Sequence, residues 1–119
     1  MTGEEQKQYN SLSYDQRQEY DHIRRMHPNW SHKQIMTKLA LDIKTIEVVD
    51  RGHENPGDDP DILREILQGA KSFLIGVGCF VWDVFEAIDE AIDTLTDLIA
   101  RGISYIGDKL SDFWDWLTS

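Results

Sequence analysis

A single cysteine, Cys79, stands among 119 residues, so no intramolecular disulfide can form and a cysteine-built metal centre lacks the several thiolates it needs. Proline is scarce too, at three residues with eight glycines. A chain 40% apolar and 29% charged has the material for a core, which excludes wholesale disorder. Bases are few: 12 Lys and Arg face 22 Asp and Glu, for a net charge of −10 that repels nucleic-acid phosphates and anionic headgroups. The deficit is uneven, because residues 1–59 hold 8 basic and 11 acidic groups whereas 60–119 hold 4 and 11. Long apolar runs are missing. The longest, Phe73 to Trp82, is ten residues with two glycines, against the roughly 20 that a spanning helix needs. Met1 leads into Thr-Gly-Glu-Glu-Gln rather than a basic start and an apolar stretch, so no classical secretion signal is expected. The expected location is cytoplasmic or within an assembly. No strand pattern, glycine-rich phosphate loop or nucleophile motif is evident, and an enzyme is not expected.

What is present is helical punctuation. Residues 1–12 are polar and are expected to be a flexible N-terminus. Ser13 with Gln16, and Ser31 with Gln34, have the spacing of capping boxes, each marking a helix start. Pro28 ends the first of these helices. Trp30 precedes the second cap and is placed to pack on Ile35. The positions Ile35, Leu39, Ile43 and Ile46 form one apolar stripe, so 13–49 reads as a helix-turn-helix hairpin. Residues 50–60, Asp-Arg-Gly-His-Glu-Asn-Pro-Gly-Asp-Asp-Pro, read as a linker. Asp59 is then a good N-cap and Pro60 suits the first helical position.

From Ile62 the apolar positions step by 4, 4 and 3 through Ile66, Ala70, Phe73, Val77, Val81, Val84, Ile88, Ile92, Leu95, Ile99, Ile103, Ile106, Leu110, Trp114 and Leu117. A strict heptad fails on Asp83, Glu90, Thr94 and Asp97. The repeat is eleven residues, about 3.67 per turn, which keeps a stripe nearly straight along a helix. The expected fold is all-α: the hairpin, followed over 61–118 by a long amphipathic C-terminal helix in a bundle or coiled-coil assembly. Breaks near Gly76–Gly78 or at Gly102 remain open, and phase continuity across the glycines favours one helix. Ile75, Cys79 and Trp82 interrupt the polar side of the stripe, leaving a segment apolar all round that must be covered on every side. They are expected to form a second contact surface, met by the hairpin, whose Arg24, Arg25, Lys33 and Lys38 oppose the acidic run from Asp83 to Asp97.

Metal and cofactor chemistry find little support. His22, His27 and His32 are five apart, about 140° of rotation each on a helix, with Pro28 between, so they share no face. The carboxylates at 83, 86, 90, 93 and 97 read as a solvated acidic face. Cys79 reads as an inert packed thiol. A DNA-reading use of the hairpin, with His32, Lys33 and Lys38 in a groove, has too few bases for a phosphate footprint. The expected function is that of a non-enzymatic interaction or structural protein, associating through the stripe with itself or with other subunits, and binding no nucleic acid, metal or cofactor. A membrane-active amphipathic protein ranks second, because lipid-surface helices carry Lys and Arg beside the apolar face and this one has few.

Overall fold

The computed structural model describes residues 2–52 and 59–102, and every regular element in that range is an α-helix: α1 (Gly3–Asn10), α2 (Tyr14–Met26), α3 (His32–Asp50), α4 (Pro60–Gly76) and α5 (Trp82–Ala100). Local chemistry sets the starts. Ser13 accepts from the Gln16 N–H at the head of α2, Ser31 accepts from the Gln34 N–H at the head of α3, and each glutamine side chain accepts the cap residue's own N–H in return. The Asp59 carboxylate accepts from the Asp61 N–H at 2.9 Å, with Pro60 in the first turn of α4. Trp30 stacks flat on His27 across the turn between α2 and α3, the rings 3.7 Å apart at 7°.

Two findings differ from the sequence expectation. Residues 3–10, expected to be flexible, form α1, because Thr2 and Glu5 build a third capping box and Tyr9 packs edge-on against Tyr20 at 5.1 Å. The long C-terminal helix that the unbroken phase favoured is divided in two, at the Gly76–Gly78 break that the sequence left open. Gly78 adopts φ +80°, donates to the Ile75 carbonyl at 3.0 Å, and lets the Cys79 N–H reach the Leu74 carbonyl at 2.9 Å. This pair of bonds is a Schellman ending, closed by the buried side chains of Leu74 and Cys79. The chain reverses over 77–81 and α5 returns along α4. Lys71 meets Asp89 at 2.7 Å and Arg64 reaches Thr96 at 3.5 Å, each pair symmetric about Phe80, as an antiparallel register requires. At its far end α5 stops at Ala100, with Gly102 at φ +77°.

Helix α3 packs on α4, α4 on α5 and α2 on α3. One apolar cluster runs through all of them, including Tyr20, Met36, Leu39, Leu67, Leu74, Ile88 and Leu95, so the 13–49 hairpin and residues 60–95 share a core. Burying a large apolar side chain contributes about 1.5–3 kcal/mol, and this shared core is the main force holding the helices. Gly69 of α4 lies under the Lys44 stem of α3, where an added Cβ would sit 2.9 Å from Lys44 Cδ.

Candidate functional site

The eleven-residue stripe lies inside the bundle over the described range. Ile66, Ala70, Val81, Ile88 and Leu95 are buried, and Ile62, Phe73, Val77, Val84, Ile92 and Ile99 are half-buried. The packed face is wider than the stripe and also takes in Leu63, Leu67 and Leu74 of α4 and Phe85, Ala91 and Leu98 of α5. Ile103, Ile106, Leu110, Trp114 and Leu117 lie outside the described residues. In the hairpin, Ile35 and Leu39 are core residues, Trp30 is half-buried, and Ser31 and Gln34 serve as the cap.

The second contact surface splits. Cys79 is buried on the core side of the reversal, and burial pushes its thiol up to about 11 although Lys33 pulls slightly the other way. Ile75 and Trp82 stay outside, 45% and 71% exposed, and Phe80 joins them at 48%. The bases of the hairpin do not reach the acidic run: among the described residues Lys38 pairs with Asp42, and the carboxylates of α5 pair only with Lys71 and Arg101.

Ile75, Phe80 and Trp82 border a groove of about 620 Å³ on the outer side of the α4–α5 reversal. Two geometric facts hold the aromatic side open. Phe80 and Trp82 stack 5.7 Å apart at 23°, and Trp82 meets the buried Phe85 edge-on at 5.8 Å, so the indole is braced from beneath while its outer surface stays in water. The other side is carboxylate: Glu86, Asp89, Glu90 and Asp93 against the single ammonium of Lys71, which pairs with Asp89 and lies 5.8 Å from the Phe85 ring centre. Phe80 was missed by the sequence reading because it falls between the eleven-residue columns, although the apolar run around it was the visible signal.

A second polar feature, a hydrogen-bond network from α1, α2 and α3, reaches the same reversal. His32 is buried, its Nδ1 2.8 Å from the Tyr20 hydroxyl and its Nε2 2.7 Å from Gln8 Oε1. An amide oxygen can only accept, so Nε2 carries the proton and donates to Gln8, while Nδ1 accepts from Tyr20. Gln8 then donates through Nε2 to the Gly78 carbonyl at 3.1 Å, tying α1 to the reversal seventy residues away. Burial holds His32 below the ordinary imidazole range and pushes the Tyr20 phenol up to about 12. With both ring nitrogens engaged, His32 acts as a structural joint. No group of three or more metal-ligating side chains occurs among the described residues. No helix among them is long and apolar enough to cross a membrane. Comparison with known protein families, with curated proteins and with solved structures finds no match to this chain.

Proposed function

We propose that this is a non-enzymatic interaction protein whose contact surface is the groove on the outer side of the α4–α5 reversal. The observation that carries this reading is the joint exposure of Ile75, Phe80 and Trp82 on a braced, folded surface. Exposed apolar patches of this kind mark binding sites, because water contact with several large apolar side chains is costly. A non-catalytic role is supported at the two buried candidates: both ring nitrogens of His32 are held in hydrogen bonds, and burial raises the Cys79 thiol to about 11. Association through the apolar stripe, as one subunit of a larger assembly, is a weaker form of the same proposal, since its described positions, from Ile62 to Ile99, would have to leave the core. A lipid-surface contact is the second reading, favoured by the exposed aromatic pair Phe80 and Trp82.

Site-specific photo-crosslinking in the native cell tests the proposal. A photoreactive residue at position 82 should give discrete protein adducts, and the same residue at exposed Gln18 on α2 should not. Identical adduct patterns from the two positions, or lipid adducts alone from position 82, would refute it.

A further inference from the structure

The groove's chemistry also constrains what fills it. We infer that it receives a basic amphipathic helix from a partner protein, an inference that rests on the groove being the contact surface proposed above. Its apolar end, made by Ile75, Phe80 and Trp82, suits one or two large apolar anchors. Along α5 the side chains of Glu86, Glu90 and Asp93 are exposed, follow i, i+4, i+7 on one face, and enter no ion pair among the described residues. At 1.5 Å per residue their backbone positions lie about 6 and 4.5 Å apart along the axis, the spacing that Lys or Arg at i, i+4 and i+7 would present on a helix lying alongside.

Charge selects among the other occupants. A second copy would bring its own net charge of −10 toward an acidic rim, and anionic lipid would meet the same repulsion. The chain's own residues 103–119 carry Asp108, Asp112 and Asp115 against Lys109 alone, a poor match to the same carboxylates. A basic partner is both steered to the molecule at long range and matched on contact.

The test uses the full ¹⁵N-labelled chain and two synthetic amphipathic peptides with identical Leu and Phe faces, one carrying Lys and the other Glu at i, i+4 and i+7. The Lys peptide should shift the amide signals of Ile75, Phe80, Trp82, Glu86 and Glu90 and bind at least about tenfold more tightly than the Glu peptide, with affinity falling as salt rises. In the variant Glu86→Lys, Glu90→Lys, Asp93→Lys, checked for unchanged helicity by circular dichroism, the preference should vanish or invert. Equal binding of both peptides in the groove would overturn the basic occupant while leaving the groove as a contact surface. Shifts in the groove produced only by phosphatidylcholine vesicles, or only by raising the protein's own concentration, would put lipid or a second copy there and overturn the inference. Lys-peptide binding with the groove signals unmoved would overturn it together with the reading on which it rests.

Discussion

His32 links three parts of the molecule through two ring nitrogens, and its neutrality is a condition of that geometry. Burial depresses its folded-state pKa below the ordinary value of 6.5, so between the two values the unfolded chain binds a proton that the folded one does not. Stability is therefore full above 6.5, declines as pH falls through that window, and levels off below the folded value. The midpoint of urea unfolding should drop as pH falls below the ordinary imidazole value of 6.5 in the wild type, and the drop should shrink in His32→Gln, which is less stable throughout. A pH-independent midpoint for the wild type in that window would contradict the joint. Cys79 gives a second check at this scale. With its thiol raised to about 11 by burial, alkylation at mildly alkaline pH should be slow in the folded protein and fast in denaturant. Rapid labelling of the native chain would show that the reversal opens more readily than its packing implies.

At the scale of elements, the reversal at 77–81 is the feature on which the groove depends. A left-handed Gly78 makes the Schellman ending feasible without the steric cost that a Cβ brings. Gly78→Ala should destabilise by about 1–2 kcal/mol and broaden the signals of Phe80 and Trp82. Gly69→Ala should do the opposite. It sits inside α4, where alanine is favoured over glycine by about 1 kcal/mol, and the obstacle is only the half-buried Lys44 stem, which can swing aside. Thermal melts of the two variants should move in opposite directions from the parent, and a fall for both would mean that the α3–α4 contact at Gly69 tolerates no adjustment.

The described helices share one core in a chain of net charge −10, and this changes what a mutation on the apolar stripe does. Ile88 is fully buried, so Ile88→Asp places a carboxylate in the shared core without a partner, a penalty of several kcal/mol against a typical domain stability of about 5–15. The expected outcome is loss of helical circular dichroism, together with loss of any association. A folded, dissociated Ile88→Asp chain would show instead that the stripe is an intermolecular seam. Asp93→Ala, on the exposed side of α5, should leave stability within about 0.5 kcal/mol and weaken only binding to the groove.

The helix starts at Ser13, Ser31 and Asp59 were legible in the sequence, because a cap needs only a short polar side chain and backbone N–H groups two or three residues on. So were the apolar faces of α3, α4 and α5, and the unusual segment around Ile75, Cys79 and Trp82, since burial leaves a periodic imprint on composition. The division of the C-terminal region into α4 and α5 was not decided at that level. An inward stripe keeps its phase whether a helix continues or reverses onto itself, because both arrangements point the same side chains at one core. Only packing in three dimensions selects the reversal, and with it the outward position of Phe80 and Trp82 and the inward one of Cys79. The same holds for His32, whose partners Gln8 and Tyr20 come from two other helices, and for the Gly78 carbonyl that Gln8 reaches across seventy residues of chain. Local sequence determines where helices can begin and which side of each is apolar; contacts between distant residues determine which apolar side chains are left for a partner.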